Sequence, residues 1–318
     1  MLTVWDWFGQ RSFHHGDFSD LASPGMPRPA VTLILPTREV AGTIGPILDT
    51  VARLNDRSGL VSQIVVVDAD SADGTANIAR GHGAEVYSEN ELRPEFGPAQ
   101  GKGDAMWRAL SVARGDIIMY ADTDTTDFAE HFIYGTLGPL LRIPGVKFAK
   151  AAYRRPFASD SRPVADGGGR VTELMAKPLL NFFYPELTGF VQPLAGEFAV
   201  SRDLLLRTPF LTGYGVEIAL LIDALGAAGL DALSQVDLGS RQNRHQPLFD
   251  LTRMSSAVLR ALARRVPALA APEDTAGWEP QTYLHAVATA DGLRLDEHLT
   301  ELLERPPMAE VLAQASAA

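Results

Sequence analysis

The sequence of 318 residues contains no cysteine. Disulfide bonds, thiolate zinc sites and cysteine nucleophiles are therefore excluded together. Basic residues are also in short supply, since 28 Lys and Arg stand against 39 Asp and Glu and give a formal net charge of −11 at pH 7. Binding to a nucleic-acid backbone relies on a net basic face, so this balance argues against a nucleic-acid partner.

Long hydrophobic runs are missing as well. The longest apolar stretch, residues 216–230, is interrupted by Glu217 and Asp223. It is shorter than the run of about 20 apolar residues that crosses a bilayer as a helix. Residues 1–10 have no basic segment ahead of an apolar run, which is not the pattern of a secretory signal. We therefore expect a cytoplasmic protein without a membrane partner.

What the sequence does have is a regular alternation of short apolar runs and helical stretches from about residue 31 to residue 246. Apolar strands separated by helices are typical of a parallel sheet covered on both faces. We predict an α/β fold made of two halves, residues 31–165 and 166–246. Residues 1–30 lack periodicity and are predicted to be an irregular leader, and residues 247–318 a helical C-terminal extension.

Polar clusters follow three of the predicted strands, at residues 36–39, 68–71 and 121–125. In open α/β sheets, ligands bind beyond the carboxyl ends of the strands. The D-x-D unit of Asp122 and Asp124 places two carboxylates on one side of an extended chain, where both can bind one Mg²⁺ or Mn²⁺ ion. The alternative is that this pair caps the helix that follows.

A glycine-rich stretch at residues 167–172 has the features of an anion site. Three successive glycines let backbone amides approach a ligand, a helix begins there, and Arg170 can add a charge-assisted contact. Between residues 150 and 177 six basic residues stand against three acidic ones, a local basic island in an acidic chain. The alternative interpretation is a flexible hinge.

Taken in order, these motifs resemble those of the glucosyl- and mannosyl-3-phosphoglycerate synthases, retaining nucleotide-sugar-dependent glycosyltransferases of the GT-A fold, and are closest to the mannosyl members. The matching segments are residues 36–39, 66–71, 101–104, 121–124, 167–174, 193–197 and 213–217. The resemblance covers about residues 30–248. It implies a mixed, mainly parallel sheet flanked by helices, with the nucleotide sugar bound by the first half and the acceptor by the second.

The resemblance also implies roles for individual residues. It implies that the donor is bound by Pro36, Thr37, Arg38, Glu39, Asp68, Ser71, Lys102, Asp122 and Thr123. It implies that the acceptor is bound by Gly169, Arg170, Thr172 and Asn243, and that the metal is bound by Asp124 with the assistance of Asp122 and His245. Asn243 is the alternative to His245 as the third ligand. Asp124, Glu217 and Lys102 form the implied catalytic group, although Glu217 can also be read as an acid favoured by the dipole of its helix.

The function expected from the resemblance is transfer of mannose from GDP-mannose to the 2-hydroxyl of 3-phosphoglycerate. Its product, mannosyl-3-phosphoglycerate, belongs to the pathway of the compatible solute mannosylglycerate, and the family implies a homodimer. One alternative is a glucosyl-3-phosphoglycerate synthase that uses UDP- or GDP-glucose. More distant alternatives are a sugar-1-phosphate nucleotidyltransferase, which should have a Gly-rich loop in place of residues 36–39, and a non-catalytic nucleotide-sugar sensor.

Overall fold

The computed structural model describes residues 2–25, 28–159, 162–164, 168–241, 247–269, 282–289, 292–299 and 302–317. Two of the predicted site residues, Asn243 and His245, lie outside these ranges, as does Gly167.

Fourteen strands are present in the described residues. They are β1 (Ser12–His14), β2 (Val31–Thr37), β3 (Gln63–Asp68), β4 (Glu85–Ser88), β5 (Ile117–Tyr120), β6 (Phe148–Arg154), β7 (Phe157–Ser159), β8 (Arg162–Val164), β9 (Phe198–Ser201), β10 (Phe210–Leu211), β11 (Leu233–Ser240), β12 (Thr282–Thr289), β13 (Gly292–Leu299) and β14 (Glu304–Arg305). Eight of them form one sheet in the order β1-β11-β6-β9-β5-β2-β3-β4. Only β9 runs antiparallel to its neighbours in this sheet, so the predicted mixed, mainly parallel sheet is confirmed.

Helices pack on both faces of the sheet. They are α1 (Val4–Arg11), α2 (Ala41–Ser58), α3 (Thr75–Gly81), α4 (Lys102–Ala109), α5 (Glu130–Arg142), α6 (Lys177–Phe183), α7 (Arg202–Leu206), α8 (Val216–Ala228), α9 (Leu248–Ala263) and α10 (Met308–Ala317). Along β2, Ile34 joins one hydrophobic cluster while Leu33 and Leu35 join the other, because successive side chains of a strand point to opposite faces. The uninterrupted apolar strands are thus explained by burial on two sides.

The parallel register of β5, β2 and β3 brings the predicted polar clusters to one edge. Thr37, the last residue of β2, pairs with Asp68, the last residue of β3. On the other side of β2, Ile34 pairs with Tyr120, which stands two residues before Asp122. The residues that follow these three strands therefore emerge side by side.

The prediction of an irregular leader is wrong. Thr3 caps α1 through a capping box with Asp6, and β1 extends the sheet by pairing with β11. Trp7 has no exposed surface, and its indole Nε1 donates to the carbonyl of Leu233 at 2.8 Å. The segment escaped detection because its helix, strand and 3-10 helix are each too short to show a period.

The C-terminal extension contains the predicted helices, as α9 and α10, together with strands that were not predicted. The strands β12 and β13 form an antiparallel hairpin, and β14 pairs with β10. In the part of the chain that the structure describes, no helix combines the length and the apolar character needed to span a membrane.

Replacing Trp7 with Ala tests whether the N-terminal segment is part of the folded core. Because Trp7 is fully buried, we expect Trp7→Ala to lower the free energy of unfolding by about 3–5 kcal/mol in urea titrations. Trp5 on the same helix is 87% exposed and gives the matched control, with a change within about 0.5 kcal/mol for Trp5→Ala. Equal losses for the two variants would contradict the integration of α1 into the core.

Candidate active site

A cavity of about 400 Å³ opens at the carboxyl ends of β2, β3 and β5. This volume is within the range of small-molecule sites. The predicted site residues that line it are Pro36, Thr37, Arg38, Lys102, Asp122, Thr123, Asp124, Gly169, Arg170, Thr172 and Glu217. Residues predicted to bind a donor, a metal and an acceptor, from distant parts of the sequence, therefore meet in one cavity.

Three of the predicted donor residues do not line this cavity and instead link the loops after β2 and β3. The buried Asp68 carboxylate accepts hydrogen bonds from the hydroxyls of Thr37 at 2.9 Å and Ser71 at 2.8 Å. The Ser71 hydroxyl in turn accepts from the backbone amide of Glu39 at 2.8 Å. In the structure Asp68 and Ser71 hold Thr37 and Glu39 in place, and direct donor contacts of Glu39, Asp68 and Ser71 stay a prediction.

Lys102, the first residue of α4, joins two carboxylates from different halves of the chain. Its Nζ lies 2.5 Å from Asp122 Oδ1 and 2.7 Å from Glu217 Oε1. Burial alone would lower the pKa of the Lys102 ammonium, but the two facing carboxylates raise it above its ordinary value. Burial acts to raise the pKa of Asp122, and the cations of Lys102 and Arg241 hold it well below its usual range. Lys102 and Asp122 are therefore both charged near neutral pH.

Arg241, directly after β11, was not among the predicted site residues. Its fully buried side chain places Nη2 3.6 Å from Asp122 Oδ2 and 3.7 Å from Asp124 Oδ1. It also forms an ion pair with the buried carboxylate of Glu197. Arg241 thus holds the two aspartates of the D-x-D unit side by side and supplies positive charge under them.

The D-x-D pair fits a hard divalent cation through carboxylate oxygens. The side chain of Asp124 is 56% exposed, whereas that of Asp122 is 20% exposed and already engaged by Lys102. Among the described residues, no group of three His, Asp or Glu side chains is arranged to hold a metal ion. Asp124 is therefore the more accessible of the two carboxylates, and the residues predicted as a third ligand, His245 or Asn243, lie outside the described residues.

Two glycines of the predicted motifs permit the close approach of elements around this network. A Cβ on Gly103 would lie 2.0 Å from the carbonyl oxygen of Leu211. A Cβ on Gly196 would lie 2.2 Å from Oδ1 of Asp122. A larger residue at either position would have to displace α4, which carries Lys102, or the Asp122 carboxylate.

The predicted anion site forms another wall of the cavity. The amide of Gly168 donates to the carbonyl of Arg155 at 3.0 Å, and a Cβ on Gly168 would lie 2.7 Å from the Arg155 Cβ. Gly169 has φ +70°, a left-handed conformation that favours glycine. Arg155, Arg170 and Thr172 all line the cavity where the helix leading into α6 begins. Two guanidinium groups, a hydroxyl and a helix N-terminus are together typical of phosphate sites.

Residues in and next to the C-terminal strand β14 form hydrogen bonds to α4, which carries Lys102, and to the segment before α8, which carries Glu217. The Arg305 guanidinium donates to both oxygens of the fully buried Asp104 carboxylate on α4, at 2.8 and 2.7 Å. Just before β14, the amide of Leu303 donates to the hydroxyl of Thr212 at 2.9 Å. Because Thr212 precedes the turn into α8, the C-terminal segment braces both sides of the cavity.

Lys150 is a second buried basic residue that was not among the predicted site residues. It lies within β6 with no exposed surface, and its Nζ donates to the carbonyl of Ala195 at 2.9 Å. Burial lowers the pKa of its ammonium from 10.5 to about 7. The available signal was a lysine in the middle of a mainly apolar strand, which is uncommon unless the amine has a structural or functional use.

Comparison with known proteins places this cavity among glycosyltransferases. Residues 32–145 match the family model described as Glycosyl transferase family 2. The chain is 38% identical over 262 residues to the glucosyl-3-phosphoglycerate synthase of Petrotoga mobilis, covering 81% of each. Its structure is similar to the crystal structure of mannosyl-3-phosphoglycerate synthase from Rubrobacter xylanophilus, with a TM-score of 0.88, 55% identity and coverage of 97% of this chain and 98% of that one.

A further solved structure carries ligands. It is glucosyl-3-phosphoglycerate synthase from Mycobacterium tuberculosis in complex with Mn²⁺, UDP and glucosyl-3-phosphoglycerate, with a TM-score of 0.76, 34% identity and coverage of 98% of this chain and 96% of that one. The fold and the cavity are thus those of a glycosyltransferase. More closely, the chain belongs to the glucosyl-3-phosphoglycerate synthase family and is similar in structure to its mannosyl member from Rubrobacter xylanophilus, which confirms the predicted family.

The lowered pKa of Lys150 predicts a pH-dependent contribution to stability. Between pH 7 and pH 10.5 the unfolded chain keeps the proton that the folded chain has released, so the stability of the folded state rises with pH in this window. Relative to Lys150→Met, which cannot titrate, the wild type should gain up to about 1.4 kcal/mol for each pH unit. Urea unfolding at pH 7, 8 and 9 measures the difference, with exposed Lys147→Met as control. A difference that does not change with pH would contradict the burial of a neutral amine.

Proposed function

We propose that this chain transfers mannose from GDP-mannose to the 2-hydroxyl of 3-phosphoglycerate, with retention at the anomeric carbon. The observation that carries the proposal is that one cavity joins the D-x-D pair to the glycine- and arginine-lined segment at residues 168–172. The D-x-D pair suits a metal-bound nucleoside diphosphate, and the glycine- and arginine-lined segment suits a phosphorylated acceptor. The relatives described above are synthases named for 3-phosphoglycerate, which supports this acceptor.

Mannose is favoured over glucose as the transferred sugar because the chain shares a higher sequence identity with a mannosyl synthase than with a glucosyl synthase of known structure. The mannosyl-3-phosphoglycerate synthase of Rubrobacter xylanophilus shares 55% identity over 97% of this chain, against 34% for the glucosyl synthase structure from Mycobacterium tuberculosis. Mannose and glucose differ only in the orientation of one hydroxyl group. The second candidate function is therefore glucosyl transfer from UDP- or GDP-glucose, which the glucosyl relatives support.

The metal in this proposal is Mg²⁺ or Mn²⁺ at Asp124, with Asp122 beside it and His245 or Asn243 as third ligand. The Mycobacterium tuberculosis relative is described with Mn²⁺ and UDP. When bound, such an ion neutralises the charge that develops on the departing nucleoside diphosphate. Lys102 adds a cation of the chain itself, since its ammonium lines the cavity next to Asp122.

Glu217 serves in this proposal to orient the hydroxyls of the transferred sugar. Its carboxylate lies 2.7 Å from Lys102 Nζ, and an ion-paired carboxylate is a weak nucleophile. This arrangement favours attack by the acceptor from the face that the diphosphate leaves. The bond between the acceptor oxygen and the anomeric carbon forms as the bond from that carbon to the phosphate oxygen breaks, and the proton of the acceptor hydroxyl moves to the phosphate.

The remaining parts of the proposal are a homodimer, a cytoplasmic location and a product that leads to mannosylglycerate. They rest on the family resemblance. The nucleotidyltransferase alternative loses support because residues 36–39, Pro-Thr-Arg-Glu, which end β2 and begin the loop after it, contain none of the glycines that this class needs there.

Release of nucleoside diphosphate tests the proposed reaction. We expect purified protein with Mg²⁺ to release GDP from GDP-mannose only when 3-phosphoglycerate is present, and Asp124→Ala to abolish this release. UDP-glucose and GDP-glucose are measured in parallel, and preference for either would establish the glucosyl activity instead. Absence of release from every donor would refute a glycosyltransferase that uses 3-phosphoglycerate.

Arg170→Ala tests the acceptor site. Loss of a charge-assisted contact costs about 1.5–3 kcal/mol, so the KM for 3-phosphoglycerate should rise by about 10- to 100-fold while the KM for the donor changes little. The matched control is Arg154→Ala, because Arg154 is exposed in the same basic segment and does not line the cavity. If the two KM values rose together, Arg170 would not be specific to the acceptor.

A further inference from the structure

Glu89, the residue directly after β4, is a buried acid that the reaction described above does not use. It is only 7% exposed, and it lines the same cavity as Lys102 and Asp122. In the described part of the chain no hydrogen bond to its carboxylate is found, and burial raises its pKa, with the nearby Arg38 guanidinium acting in the opposite direction. A buried carboxylate without donors is costly, so this group is set up to receive hydrogen bonds from a ligand.

The backbone around Glu89 is held in place. Its amide donates to the carbonyl of Asp68 at 2.9 Å, which continues the pairing of β3 with β4. The buried guanidinium of Arg108 donates to the carbonyl of Glu89 at 3.3 Å and to that of Leu92 at 2.7 Å. The carboxylate is therefore presented to the cavity from a fixed position, as a specificity-determining group requires.

The position of Glu89 in the sheet corresponds to the far end of a nucleotide. Asp122 follows β5, and β4 lies three strands away across β2 and β3. Neighbouring strands are about 4.8 Å apart, so the two ends of the cavity are separated by about 14 Å. A nucleotide with its diphosphate at the D-x-D pair would place its ribose over the ends of β2 and β3 and its base beside Glu89. Val67 and Ala69 add apolar surface to the cavity wall along this path.

We propose that Glu89 recognises the guanine of the donor through its N1–H and 2-amino groups, and so selects GDP-sugars over UDP-sugars. This inference rests on the proposed function, since it identifies the nucleotide of the same donor site. A carboxylate has two acceptor oxygens that match two adjacent N–H donors of guanine. Uracil offers a single N–H between two carbonyl oxygens. A facing carboxylate therefore accepts one hydrogen bond from uracil, and its oxygens are repelled by the partial negative charge of the neighbouring carbonyl oxygens. The site therefore both attracts guanine and repels uracil.

Binding of GDP, IDP and UDP to the whole protein with Mg²⁺, measured by calorimetry, tests this assignment. We expect the wild type to bind GDP at least 10-fold more tightly than IDP, which lacks the 2-amino group, and UDP more weakly still. In Glu89→Gln the amide keeps one acceptor and turns the other into a donor. The affinity for GDP should fall by about 10- to 100-fold, as for loss of one charged hydrogen bond, and the preference for GDP over UDP should largely disappear.

Two controls separate this inference from the proposed function and from misfolding. Glu91→Gln changes an exposed acid two residues away and should leave all three affinities unchanged. At saturating GDP-mannose, Glu89→Gln should retain most of the wild-type kcat, because only the KM for the donor depends on the base. Equal affinity of the wild type for GDP and UDP, or an unchanged preference in Glu89→Gln, would overturn the role of Glu89 while leaving glycosyl transfer intact. Failure of the wild type to bind any of the three nucleotides would overturn the proposed function itself.

Discussion

A lysine ammonium held between two carboxylates is the interaction on which the rest of the active site depends. Lys102 starts α4, Asp122 follows β5, and Glu217 stands in the first turn of α8. Removing Lys102 would leave the two carboxylates without the cation they share, and the loss of one member of a buried ion pair costs about 3–5 kcal/mol. The three elements are therefore constrained to one arrangement, and α4 and the end of β5 are joined to α8 across the cavity rather than at its rim.

Positively and negatively charged side chains occupy different places along the cavity. Arg155 and Arg170 stand at the glycine-rich wall, the D-x-D pair at the end of β5, and Glu89 at the end of β4. This explains how a chain of net charge −11 can offer a site to anionic substrates. Local potential in a cleft is set by the side chains that line it, whereas the acidic surplus is spread over the remaining surface.

Residues such as Asp122, Lys102 and Arg170 could be found from the sequence because each belongs to a short motif next to a strand or a glycine. Arg241 and Glu89 could not be found in this way. Their place in the cavity comes from which strands are neighbours, and the order of the strands in the sheet does not follow their order in the chain. Asp68 illustrates the reverse case, since a residue in a matching motif proves to hold a loop through Thr37 and Ser71 rather than to line the cavity.

By itself the sequence determined the alternating α/β pattern, the edge of the sheet where chemistry takes place and the glycines that allow close approach. These follow from local causes, namely apolar strand composition, the direction of parallel strands and the absence of a Cβ. Only the tertiary structure decided that residues 12–14 add a strand to the sheet, that Arg305 braces Asp104 and that Lys102 meets Glu217. Such contacts join residues more than a hundred positions apart, and the compensation of buried charge depends on the packing of the whole domain.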